Sequence, residues 1–126
     1  MQRLFLFAFL CLLAFGCGQA QPTLSGGKPV EHWIRALDDS DSRVRKEAAS
    51  KLGNAGPVNA AVLPALVAAL KDPDAKVRCE VILALAKFGT DAKDAVPTLT
   101  ELQQSDRDAR VRSYAAEALE RIQNGK

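Results

Sequence analysis

The chain has 126 residues, 48% of them hydrophobic and 25% charged, a balance that suits one small globular domain and lies far from the composition of disordered chains. Its 17 Lys and Arg against 15 Asp and Glu leave a formal net charge of +2. The signs alternate along the sequence instead of collecting into blocks, which argues against a nucleic-acid footprint or a membrane-surface patch.

In chain order, the first segment stands apart from the rest. Behind Arg3 runs an uninterrupted apolar stretch from Leu4 to Gly16 that holds four of the five Phe residues. It falls short of the roughly 20 apolar residues that span a hydrocarbon core. A charged start, an apolar middle and small residues at the end give it the shape of a secretory signal. Two cleavage points compete. Ala14-Phe15-Gly16-Cys17 resembles a bacterial lipobox, which implies signal removal at residue 17 and a diacylated Cys17 as the new N-terminus. The match is imperfect, because Ala14 and Phe15 stand where a branched and a small residue are preferred. The other point follows Gly18-Gln19-Ala20 and would release a soluble protein. With the signal removed, Cys79 is the only thiol besides Cys17, so no intrachain disulfide framework is expected.

Residues 18–28 are rich in Gly, Gln and Ser and lack apolar periodicity, so they are expected to form a flexible linker. At about 3.5 Å per residue it could hold a domain roughly 35 to 40 Å from a lipid anchor.

From residue 29 the sequence repeats. Asp41-Ser42-Arg43-Val44-Arg45 returns as Asp74-Ala75-Lys76-Val77-Arg78 and as Asp108-Ala109-Arg110-Val111-Arg112, with the valines 33 and 34 residues apart. After each Val come apolar residues four and eight places on: Ala48 and Leu52, Val81 and Leu85, Ala115 and Leu119. This spacing places them on one face of a helix. A shorter helix precedes each Asp cluster, marked by Val30, Trp33 and Leu37, then Leu63, Leu66 and Leu70, then Val96, Leu99 and Gln103. The expected fold is therefore all-α: a short α-solenoid of three helical hairpins, six helices, in units of about 29–56, 57–90 and 91–124 within a domain at 29–126.

The turns carry their own signals. Asp41, Asp74 and Asp108 stand where a carboxylate accepts the free N–H groups of a helix start and suits the positive end of its dipole. Pro73 fixes φ in the middle turn. Pro64 and Pro97 fall early in first helices, and Gly53, Gly89 and Gly125 are expected as left-handed caps. In the middle second helix, Val81-Ile82-Leu83-Ala84-Leu85-Ala86 has almost no polar face, as expected of an element covered on several sides.

At about residues 29–122 these features together resemble HEAT repeats, in particular the short HEAT-like or phycobilisome-lyase-type variety. Pro64 and Pro97 in the first helix, Asp39, Asp72 and Asp106 ending it, and Val-Arg opening the second coincide in register, while unit one has Glu31 where the others have Pro. The resemblance implies an ion-pair ladder between neighbouring repeats, in which Asp39, Asp72 and Asp106 pair with Arg45, Arg78 and Arg112. Each Arg thus has an acidic neighbour, so the row reads as structural and not as an anion site. Were the pairs exposed, each would contribute only about 0 to 1 kcal/mol.

Catalytic parts are missing from the sequence. The single His32 cannot build the several His-Glu pairs of di-iron hydroxylases made from HEAT-like repeats, and no metal or cofactor is expected. Cys79 and His32 lie in different units with no orienting third group. The bilin-lyase branch is the enzymatic alternative. An export signal, small size and a mature domain with only Trp33, Phe88 and Tyr114 as aromatics stand against it.

Binding remains. Solenoids expose second helices on a concave face, and the positions there off the buried stripe are Lys46, Glu47 and Ser50, then Cys79, Glu80 and Leu83, then Ser113, Tyr114 and Glu117. A protein partner is expected on this strip, with Tyr114 as the anchor, because an aromatic with a polar tip supplies contact area at low entropic cost. Cys79 is either a partly exposed thiol or a small neutral filler. The expected state is a monomer, touching a membrane only through the N-terminal lipid, with self-association through the end faces as the alternative.

Overall fold

A computed structural model describes residues 27–125. The apolar N-terminal stretch, Cys17 and most of the Gly/Ser-rich segment lie outside the described residues. Within them the chain forms three antiparallel helix pairs and no strand: α1 (Val30–Ala36) with α2 (Ser42–Ala55), α3 (Val62–Ala69) with α4 (Ala75–Lys87), and α5 (Val96–Ser105) with α6 (Ala109–Asn124). A 3-10 segment, Gly89–Ala95, joins the second pair to the third. This is an all-α solenoid. The long second helices α2, α4 and α6 pack side by side with α4 in the middle, and each short first helix packs on the second helix of its own pair.

The stripes close the core. Ala48, Leu52, Val81, Leu85 and Ala115 are fully buried and Leu119 nearly so, as are Leu66, Leu70 and Leu99 from the first helices. Seven residues of α4 are buried, Val77, Cys79, Val81, Ile82, Ala84, Leu85 and Ala86, because α2 covers one flank and α6 the other. All three second helices start on the aspartates expected. Asp41 accepts from the Arg43 N–H at 2.9 Å, Asp74 from Lys76 at 2.7 Å and Asp108 from Arg110 at 2.8 Å. Pro97 and Pro64 sit in the first turns of α5 and α3, where a missing N–H removes no intrahelical bond.

Three details depart from the sequence reading. Gly53 is not a cap. It lies inside α2, which runs on to Ala55 and turns at Gly56 with φ +73°. A Cβ on Gly53 would stand 2.7 Å from the Ala84 Cβ and 2.8 Å from its Cα, so glycine is there to let α2 and α4 approach. Second, the first-helix stripe begins one residue earlier than its period suggests in units two and three. Val62 and Ala95 are fully buried, whereas Leu63 and Val96 are only half-buried. Third, the connection into α5 is a kinked 3-10 segment whose Ala92 and Ala95 are buried and which packs against α6.

Both ends of the stack are polar where the interior is not. The position held by Ala84 and Ala118, both buried, is Lys51 in α2. The position held by Gly53 and Ala86 is Glu120 in α6, and that of Leu37 and Leu70 is Gln103 in α5, both exposed.

Candidate partner-binding face

The ladder arginines act one step further along than expected. Arg45 donates through Nε to Asp72 Oδ2 at 2.7 Å and through Nη2 to Asp72 Oδ1 at 3.2 Å. Arg78 treats Asp106 the same way at 2.9 and 3.0 Å. Each rung therefore joins the arginine of one unit to the aspartate of the next. The expected Asp39–Arg45, Asp72–Arg78 and Asp106–Arg112 pairs are replaced by this offset. The reason lies in the planar fork of the guanidinium. Nη1 is held by backbone carbonyls of its own turn, Asp39 and Ser40 for Arg45, Asp72 and Pro73 for Arg78, Asp106 and Arg107 for Arg112. That grip aims the Nε edge across the unit boundary. The aspartate is shared too: Asp72 and Asp106 accept the N–H groups of Asp74 and Asp108 at 2.9 Å, as Asp39 accepts that of Asp41 at 2.8 Å. The two rungs are not the exposed pairs expected from sequence. Their side chains are 13% and 6% exposed at Arg45–Asp72, 14% and 6% at Arg78–Asp106.

Around the caps the electrostatics are local. The Arg43 side chain and then its N–H hold the Asp41 carboxyl below its ordinary range, and Arg110 does the same more strongly to Asp108. Both pairs are outward, at 3.1 and 2.8 Å.

Of the nine strip residues, five line one groove on the second-helix layer: Lys46, Cys79, Glu80, Leu83 and Tyr114, joined by Lys76 and Arg110, around a volume of about 330 Å³. Glu47, Ser50, Ser113 and Glu117 lie outside its lining. Leu83 is 38% exposed, one of two large hydrophobic residues so exposed among those described, the other being Val58. Sequence reasoning missed Lys76 and Arg110. The repeat alignment carries the signal, since Arg43, Lys76 and Arg110 hold the same place in three successive units. The first-helix layer carries a groove of about 550 Å³ lined by Leu63, Val67, Ala92 and Thr98, among others.

The family described as HEAT repeats matches residues 30–120. The chain belongs to the HEAT-repeat family. Among solved structures, the crystal structure of an engineered protein from the Northeast Structural Genomics Consortium is similar at 35% identity and a TM-score of 0.63. The match covers 76% of this chain and 46% of that one, so the chain spans less than half the length of the engineered protein. None of the curated proteins matches.

Within this HEAT stack the remaining chemical side chains fall into structural places. Cys79 is buried, not partly exposed. Lys46 and Ser113 hold its position in the outer units and are exposed there, but in the middle unit neighbours on both sides cover it. Burial pushes its thiol up from the usual value. His32 stands edge-on to Trp33, ring centres 5.0 Å apart at 83°. Trp33 fills the core of unit one at 4% exposure, with Lys28 and Lys51 ammonium groups 5.5 and 5.9 Å from its ring centre and its buried indole N–H without a hydrogen-bond partner among the described residues. Among the described residues no three His, Cys, Asp or Glu side chains gather as a metal would need, and no helix is long and apolar enough to cross a membrane.

Proposed function

We propose that this HEAT stack is a non-catalytic protein-interaction module that offers the α2–α4–α6 face to a protein partner. In this reading the chain is exported and held at a membrane surface through an acylated Cys17. HEAT repeats generally mediate protein interactions. The observation that carries the reading for this chain is the groove on the second-helix layer, where the exposed Leu83 and half-buried Tyr114 share the lining with Lys46, Lys76, Glu80 and Arg110. Apolar side chains together with charged ones are the usual anatomy of a small docking site. Export rests on the apolar run behind Arg3, and the tether on Ala14-Phe15-Gly16-Cys17.

Two experiments test the two halves. Pull-down with the chain as isolated from cells is expected to recover a protein that is lost on Leu83→Asp together with Tyr114→Ala. Retention by the double variant, with its helix content unchanged, removes the face from the reading. Feeding cells a radiolabelled fatty acid is expected to label the chain and not Cys17→Ser; unlabelled protein beginning at Gln21 points to cleavage after Ala20 and a soluble product.

A further inference from the structure

The groove on the second-helix layer has an uneven charge. Its lining brings three cations, Lys46, Lys76 and Arg110, to one carboxylate, Glu80. Arg110 is neutralised in part by Asp108 at 2.8 Å, but neither Lys46 nor Lys76 is within salt-bridge distance of a carboxylate among the described residues. The lining is mostly polar, and Leu83 on α4 and Tyr114 on α6 are its two large apolar side chains. A volume of about 330 Å³ is at the low end of ligand pockets, which run to roughly 300–1,000 Å³, so it suits a few side chains of an extended segment.

We propose that the occupant is an acidic segment of a partner protein, with its carboxylates on Lys46, Lys76 and Arg110 and one apolar side chain on Leu83 and Tyr114. The proposal rests on the reading that this face binds protein and adds the chemistry of what it binds. A basic segment would meet three like charges for one opposite charge. A single-stranded nucleic acid, equally anionic, would need aromatic faces on which to stack its bases, and the lining offers only Tyr114. Mixed acidic and apolar chemistry suits five of the seven lining residues, the cations Lys46, Lys76 and Arg110 and the apolar Leu83 and Tyr114, while Glu80 opposes it; opposed potentials favour encounter.

The test is fluorescence anisotropy of the chain as isolated from cells, using a short fluorescein-labelled peptide that alternates Asp and Glu around one central Leu. Saturable binding is expected, falling as salt rises. Reversal of both free lysines, Lys46→Glu with Lys76→Glu, is expected to weaken it about tenfold, the scale of two exposed ion pairs turned to repulsion. Glu80→Lys is expected to tighten it about threefold. All three positions are at least partly exposed, and an unchanged thermal midpoint shows that the variants fold. Absence of saturable binding, equal binding of the Lys-for-Asp/Glu peptide, tighter binding of a single-stranded oligonucleotide, or indifference to the lysine reversals each overturns the proposal. A protein partner lost on the Leu83 and Tyr114 changes but insensitive to the lysine reversals leaves the face standing and removes only its acidic specificity.

Discussion

At the scale of single residues, the ladder separates two jobs that one aspartate does at once. Asp39, Asp72 and Asp106 all bind the N–H two residues on, but only Asp72 and Asp106 also receive an arginine from the preceding unit. Asparagine keeps the turn and loses the charge. Asp72→Asn is therefore expected to lower stability by about 1.5–3 kcal/mol, the range for a charge-assisted bond between largely covered groups. Asp39→Asn, lacking a rung, is expected to fall within about 0.5 kcal/mol of the parent. Urea unfolding of the two variants checks this, and equal losses would mean that the turn, not the rung, carries the effect. Cys79 gives a second residue-level expectation. With its thiol covered and pushed up by burial, alkylation read on its own peptide by mass spectrometry should be slow in buffer and should accelerate with urea in step with unfolding. Rapid labelling of the folded chain would restore the exposed thiol expected from helix periodicity.

At the scale of elements, α2 comes close against α4 at Gly53 and Ala84. On helix propensity alone, Gly53→Ala should gain up to about 1 kcal/mol. The new methyl would stand 2.7 Å from the Ala84 Cβ and 2.8 Å from backbone, which cannot rotate away. Overpacking wins, with an expected loss of about 1–3 kcal/mol. Ala84→Gly in the same chain should recover part of that loss by clearing the opposing Cβ, measured as a double-mutant cycle. Additive losses would show that the two helices do not meet there. The helices themselves were legible in sequence, since Asp-x-[Arg/Lys]-Val-Arg marks each second helix and its stripe follows at four and eight residues. Gly53 was not. Near the end of a helix period a glycine reads as a cap, and only the neighbouring helix shows that its missing side chain is what matters.

At the scale of the whole molecule, stability is distributed over the boundaries between units, each of which is incomplete alone. Removal of unit three is expected to expose the flank of α4 that packs on α6 and to leave no cooperative unfolding transition in circular dichroism. A sharp transition retained by the shortened chain would contradict this. The ends bear on association. Lys51 on one, and Gln103 and Glu120 on the other, stand where interior units are apolar or small, so stacking end on end would bury polar and charged groups at a desolvation cost that a Lys51–Glu120 pair would offset only in part. The chain is accordingly expected to sediment as a monomer at every attainable concentration, and a mass that rises with concentration would favour the self-associating alternative.

What the sequence by itself determined is the repeat: three helix pairs in register through Val44, Val77 and Val111, their aspartate caps, and the identity of the crowded middle helix. These follow from local rules of spacing and capping, which act within one helix or turn and leave a periodic trace. The tertiary structure alone decided which arginine meets which aspartate, that Cys79 is covered, why Gly53 is glycine, and that Lys76 and Arg110 share a groove with Leu83 and Tyr114. Each of these depends on the neighbour in the next unit. A linear period says which face a residue occupies but not what stands opposite it.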